Sequence, residues 1–224
     1  YPTVPYKLSV TPARIDTPAP LLGQHTVHDV LQVMHEQSIA SPALASRERP
    51  GRATHGKARG GPLQGVRVVE LTKVWAGPYV GKLLAFLGAE VIRVESESAI
   101  DVTRVYGVTD INNAPGFQSV NTQKLSVQID MKTEAGVRLI LDLLRESDIV
   151  VENLRPGAVK RLGLDYDTVR AVNPAIVYVS MGMYGNQGPL SYQTGYAPCF
   201  AALGGLSALV GYEGQPPSGM NIRY

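Results

Sequence analysis

The stretch that most constrains this chain is PLQGVRVVELTKVWAGPYVGKLLAFLGAEVIRVE, residues 62–95. It reads as strand, loop, helix, strand. Val66, Val68 and Val69 lead into Glu70 and Leu71, a short β-branched run of strand type. Residues 72–78 are turn-prone. Over 77–87 the apolar residues Val80, Leu83, Leu84 and Leu87 recur at helical spacing, which predicts that they face the core. Gly88 is placed to stop the helix. Val91, Ile92 and Val94 resume a strand. The connection is too long for a hairpin, so the two strands are expected to run parallel with the helix crossing over. In open parallel sheets ligands bind beyond the carboxyl ends of the strands, which here selects the loop 72–78.

The pattern repeats downstream. Residues 125–130 (LSVQID) read as a third strand. Thr133 is placed to cap a helix over 134–146, with Val137, Ile140, Leu141 and Leu144 as its buried stripe. Glu134 at the first turn and Arg145 at the last suit the helix dipole. Residues 148–154 (DIVVENL) read as a fourth strand and 175–181 (AIVYVSM) as a fifth. Pro156 is expected to open a short helix over 157–162. A second helix is expected over 166–172, stopped at Asn173-Pro174, and a third over 197–210. Residues 96–124 read as a long irregular loop. Strands alternating with helices predict an α/β fold, a doubly wound, mainly parallel Rossmann-like sheet.

Composition bounds the function. The net charge of +2 favours neither a nucleic-acid surface nor a membrane patch, and no apolar run of roughly 18 residues predicts a membrane span. One cysteine, Cys199, cannot form an internal disulfide, so a reducing, cytoplasmic setting is expected. Cys199 lies among apolar residues and reads as a buried structural thiol. His25, His28, His35 and His55 lack metal-ligand spacing, so no metal site is expected. Residues 41–61 carry Arg47, Arg49, Arg52, Lys57 and Arg59 among Gly, Pro, Ala and Ser; they read as a flexible linker.

Two motifs bear on chemistry. The G-x-G-x-x-G fingerprint of dinucleotide folds is absent. In its place the first loop reads Val74-Trp75-Ala76-Gly77-Pro78, whose helix start could receive a phosphate or carboxylate, or could be an ordinary turn. At the end of the fourth strand, Asn153 could bond a ligand and Arg161, further along, could pair with a phosphate. Glu152 and Arg155 read there as solvated loop charges.

Three blocks in order, residues 62–95, then NTQKLSVQIDMKTEAG (121–136), then SDIVVENLRPGAVKRLGLDYDTVRAVNPAIVYVSMGMYGNQGP (147–189), resemble the family III CoA-transferases. This family includes formyl-CoA and carnitine CoA-transferases, with α-methylacyl-CoA racemases as relatives. Residues 6–37, with APLLGQHT at 19–26, resemble that family's C-terminal tail. The resemblance therefore implies an internal piece of a tandem protein. Residues 1–40 would be the tail of one copy, 41–61 the linker, and 62–224 the N-terminal CoA-binding part of a second copy.

The resemblance implies coenzyme A, as acyl-CoA, for a substrate and a carboxylic acid as acceptor. It also implies an interlocked second subunit or the rest of the tandem chain as partner. In the family an aspartate attacks the acyl-CoA carbonyl and passes through an aspartyl-CoA thioester. That aspartate is expected just beyond Tyr224, so no catalytic residue is assigned within the chain, and this stretch by itself is expected to be inactive. Val74, Trp75 and Ala76 match the loop at the thioester end of CoA. Ile129 and Lys132 match residues near its nucleotide. Asn153, Leu154 and Arg161 match pantetheine and phosphate contacts.

Four positions depart from the pattern. Formyl-CoA transferases carry glutamine at the Trp75 position, which speaks against oxalate. A frequent arginine is Ser96. A Gly-Tyr-Asp motif reads Gly195-Tyr196-Ala197, and the racemase histidine is Tyr196. Three other readings stay open: a tandem CoA-transferase/lyase acting on dimethylsulfoniopropionate, whose sulfonium could face Trp75; a racemase-like enzyme; and a non-catalytic scaffold copy.

Overall fold

A computed structural model describes residues 61–217. The expected tail at 1–40 and nearly all of the expected linker lie outside the described residues. Five strands form one sheet in which every pairing is parallel. They are β1 (Arg67–Leu71), β2 (Glu90–Glu95), β3 (Leu125–Gln128), β4 (Ile149–Glu152) and β5 (Val177–Ser180), in the spatial order β3-β2-β1-β4-β5. The α/β, doubly wound reading holds. The chain steps outward from β1 through β2 to β3, then returns to the other side of β1 with β4. The strand order thus reverses between β1 and β4, where Leu71 stands opposite Glu152.

The helices are α1 (Ala76–Phe86), α2 (Val102–Val105), α3 (Pro115–Asn121), α4 (Glu134–Arg145), α5 (Ala158–Arg161), α6 (Tyr166–Val172), α7 (Ala197–Leu203) and α8 (Leu206–Leu209). Among the described residues no helix is long and apolar enough to cross a membrane.

One face of the sheet is aliphatic. Val69, Leu71 and Val150 meet Ile140 and Leu144 of α4 and Val169 of α6. The stripe expected on α4 is present, with Ile140 and Leu144 fully buried. Its cap is present as well: the Thr133 hydroxyl accepts the Gly136 N–H at 3.0 Å. Burying each such side chain contributes about 1.5–3 kcal/mol.

The other face carries Val68, Val91 and Val151 beneath α1. Here the expected stripe is wrong in part. Val80 and Leu84 pack against the sheet, but Leu83 and Leu87 are exposed. The buried positions of α1 are Gly77, Pro78, Gly81 and Ala85. The helix lies too close to β1 for large side chains. A Cβ at Gly77 would fall 2.6 Å from the Thr72 Cβ, and one at Gly81 would fall 2.3 Å from a Glu70 carboxylate oxygen.

Other boundaries shift. Residues 96–124 are not irregular. They hold a 3₁₀ turn (Glu97–Ala99), α2 capped by Asp101, and α3 opened by Pro115. Strands β3, β4 and β5 are each shorter than expected: β3 and β4 end two residues earlier, β4 also begins one residue later, and β5 begins two residues later and ends one earlier. The helix after Pro156 begins at Ala158, since Gly157 takes φ 74° at its N-cap. The single helix expected over 197–210 is two, broken at Gly204-Gly205, where Gly205 has φ 78°. Cys199 is exposed rather than buried, because α7 turns only Ala201 inward.

Candidate functional site

The carboxyl ends of all five strands open on one edge of the sheet, as parallel pairing requires. At the switch point, the loop after β1 and the loop after β4 are tied together. The Lys73 N–H donates to Asn153 Oδ1 at 2.8 Å, and Asn153 Nδ2 donates back to the Lys73 carbonyl at 2.8 Å. Asn153 therefore clamps the backbone of the first loop. Past Lys73, Val74 has φ 69°, in the left-handed region that β-branched residues avoid. Its N–H donates to Asp101 Oδ2 at 2.9 Å. Trp75 follows, 45% exposed, with its ring edge within reach of Gly116 at the start of α3. Ala76 opens α1 and is also exposed.

Leu154 is half-buried beside Asn153, and its N–H donates to Glu152 at 2.9 Å. Arg161 is exposed, and its guanidinium lies near Gly157. The structure thus brings Val74, Trp75, Ala76, Asn153 and Leu154 to the β1/β4 switch point. Ile129 and Lys132 sit elsewhere, past the end of β3. Two sheet spacings of about 4.8 Å separate β3 from β1. Between the ends of β2 and β3 lies a cleft of about 330 Å³, lined by Ser96, Glu97, Ser98, Gln128, Ile129 and Asp130. Lys132 is exposed close by, and its N–H donates to Asp130 Oδ1 at 3.0 Å.

Behind the first loop lies a buried set of charges that sequence reasoning did not identify. Glu70 and Arg93 are cross-strand neighbours, with Arg93 donating to Glu70 Oε1 at 3.2 Å. The second arm of Arg93 reaches Asp101 Oδ2 at 2.5 Å. Lys124 Nζ lies 2.8 Å from Glu70 Oε2, while its hydrogen-bond geometry points to Oε1 at 3.1 Å. Thr72 donates to the same carboxylate. At the outer end, Arg104 grips Glu95 with both arms, at 2.8 and 2.7 Å. Arg104 also lies over the Phe117 ring, 3.5 Å from its centroid. A signal existed: Glu70 and Arg93 are opposite charges inside apolar strand runs, where only a paired charge can be buried.

Burial shapes the titration of this edge. Desolvation holds the Lys73 ammonium below the ordinary lysine range, against the pull of Asp101. Lys124 is lowered for the same reason, although Glu70 opposes it. Glu152 is not a solvated loop charge. It is 3% exposed, and desolvation raises its pKa against hydrogen bonds from Ser180 and the Leu154 N–H.

Residues 63–224 match the CoA-transferase family III. The chain belongs to that family. Among its relatives is succinyl-CoA:glutarate CoA-transferase of Mus musculus, 40% identical over 157 residues. That match covers 70% of this chain and 36% of the mouse protein. Formyl-CoA:oxalate CoA-transferase of Streptomyces avermitilis is 38% identical over 157 residues, covering 69% of this chain and 38% of that one. A crystal structure of a CAIB/BAIF family protein from Brucella suis superposes with a TM-score of 0.66 at 36% identity. It covers 73% of this chain and 44% of the Brucella chain. The matched region therefore spans less than half the length of these family members.

Proposed function

We propose that this chain supplies the CoA-binding part of an enzyme that moves CoA between carboxylic acids. Acyl-CoA would lie along the carboxyl edge. Its nucleotide would sit at the β2/β3 cleft by Ile129 and Lys132. Its pantetheine would pass Asn153 and Leu154, and Arg161 would take a phosphate. The thioester would come to Val74, Trp75 and Ala76. The observation that carries this reading is the strand reversal between β1 and β4, with family-matched residues from both loops meeting there.

The chemistry proposed is covalent catalysis by a carboxylate. An aspartate, expected just beyond Tyr224, attacks the thioester carbonyl and expels CoA thiolate, forming a mixed anhydride. The thiolate attacks the aspartyl carbonyl, releasing the first acid and leaving aspartyl-CoA. The acceptor carboxylate attacks in turn, again expelling thiolate, which then takes the new acyl group and frees the aspartate. The residues described here bind and orient the thioester. In the same proposal, residues 1–40 end a preceding copy and 41–61 link it to this one.

The test uses the full-length protein. Incubated with acyl-CoA donors and trapped with hydroxylamine, it should carry a hydroxamate on an aspartate beyond Tyr224, seen by mass spectrometry. CoA binding without a trapped adduct from any donor would sink the transferase reading for this copy.

A further inference from the structure

The loop after β1 holds a backbone conformation that its own sequence disfavours. Val74 at φ 69° costs about 1–3 kcal/mol relative to an extended or helical residue. Such a residue persists only where its surroundings over-determine it. The Asn153 clamp fixes Lys73 on one side. On the other side the fixing group is Asp101.

Asp101 is 3% exposed and uses both oxygens twice. Oδ2 accepts the Val74 N–H at 2.9 Å and an Arg93 N–H at 2.5 Å. Oδ1 accepts the Thr103 N–H at 2.9 Å and the Thr103 hydroxyl at 2.8 Å. All four partners are donors. An ionised carboxylate can accept from all four, whereas an amide offers one oxygen and turns an NH₂ against the rest. Arg93 is itself held against Glu70 and lies 5.2 Å from the centroid of the Phe117 ring, so the carboxylate it grips cannot swing away.

We propose that Asp101 is a positioning residue: with Arg93 holding its carboxylate, it keeps Val74 in the left-handed conformation and so aims the Val74-Trp75-Ala76 backbone at the reacting thioester. Asp101 acts through the Val74 N–H and does not touch substrate. This inference rests on the reading that the loop meets acyl-CoA.

The test is a double-mutant cycle in the full-length protein, with free CoA as the binding probe and succinyl-CoA plus glutarate as the turnover probe. Asp101→Asn should lower kcat by about tenfold to a hundredfold, the loss expected from a misplaced reacting group, with the CoA Kd changed by less than about threefold. In a Val74→Gly background the same Asp101→Asn change should cost less than about threefold in kcat, because glycine adopts the left-handed conformation unaided. A kcat within about twofold of the parent, or an equal loss in both backgrounds, overturns the proposal. If the Asn variant does not fold, Asp101→Glu carries the same cycle. Hydrogen exchange of the parent without ligand needs no variant: the Val74 amide should exchange slowly, and exchange at the rate of an open loop overturns the proposal. Absence of CoA binding by the parent would instead overturn the reading of the site, and the exchange result at Val74 would still judge the clamp.

Discussion

The two faces of the sheet are built from the same strands and both carry aliphatic side chains, but only the α1 face adds a charged set of Glu70, Arg93, Asp101 and Lys124. Val69 and Glu70 are neighbours, so their side chains point to opposite sides. Val69 joins Leu71, Ile140 and Leu144 in an aliphatic layer beneath α4 and α6. Glu70 joins Arg93, Asp101 and Lys124 beneath α1, at the carboxyl end where the β1 loop begins. An aliphatic contact has no direction. It stabilises the sheet but cannot tell a loop which way to face. A buried carboxylate-guanidinium contact is directional, and burying it unpaired is expensive. The labour is divided: the α4 face holds the sheet by aliphatic contact, whereas the α1 face adds to its own aliphatic layer a set of buried charges that fixes the orientation of the β1 loop, the loop proposed to meet the thioester.

The largest effect is expected at Arg93. Arg93→Met leaves Glu70 and Asp101 with one cation fewer, and removing one partner of a buried ion set costs about 3–5 kcal/mol. Urea unfolding of the full-length protein checks this, and a loss below about 1 kcal/mol would mean that the charged face is not over-determined. Leu144→Ala acts on the opposite face. It should cost about 2–5 kcal/mol through lost contact and a cavity. Because the aliphatic layer carries no direction, CoA affinity at the remaining folded fraction should be unchanged. A parallel loss of affinity would erase the proposed division.

The next effect is pH-dependent. Burial alone would raise the Glu95 pKa, but hydrogen bonds from Arg104 and Ser126 and the charges of Arg93 and Arg104 overcome it and bring it to about 2, from 4.5. A depressed folded pKa contributes stability above the unfolded value, lost as pH falls through the folded one. The contribution of Glu95 is therefore full above 4.5 and fades towards 2. Glu95→Gln should cost about 1.5–3 kcal/mol near neutrality, the worth of charge-assisted hydrogen bonds, and should flatten the acid limb of a melting-temperature profile in that window. Glu152 does not confuse the measurement. Its pKa is raised by desolvation, so its contribution has the opposite sign and is lost as pH rises.

How legible this was depended on what decided each element. Helix α4 was readable whole, because a one-sided helix writes its burial into its spacing and Thr133 announces its start. Helix α1 was not. Leu83 and Leu87 have the right spacing, yet Gly77 and Gly81 set how closely the helix approaches β1, and approach distance overrides hydrophobicity. The carboxyl-edge placement of Val74 and Asn153 followed from the strand pattern alone. The hydrogen bonds between Asn153 and Lys73 did not, since residues 80 positions apart choose each other only after the sheet forms. Asp101 was hidden for a similar reason. It lies in a stretch that reads as irregular, and its role comes from four donors that converge in space.

The smallest effect sits where the two faces meet. Thr133 caps α4 by accepting the Gly136 N–H, and its hydroxyl also donates to the Asp130 carbonyl at 2.9 Å. Asp130 and Ile129 line the β2/β3 cleft, so one hydroxyl serves both the aliphatic face and the proposed nucleotide end. Thr133→Ala should lower stability by about 1 kcal/mol, the usual worth of an N-cap, in urea unfolding. The Lys132 N–H still donates to Asp130 Oδ1 after the change and keeps the turn in place. Calorimetric affinity for free CoA should accordingly shift by less than about threefold, which is under 0.7 kcal/mol at about 1.4 kcal/mol per factor of ten. A larger shift would show that the 130–133 turn couples the aliphatic face to the cleft. The boundary between the holding face and the aiming face would then have to be drawn through α4 rather than through the sheet.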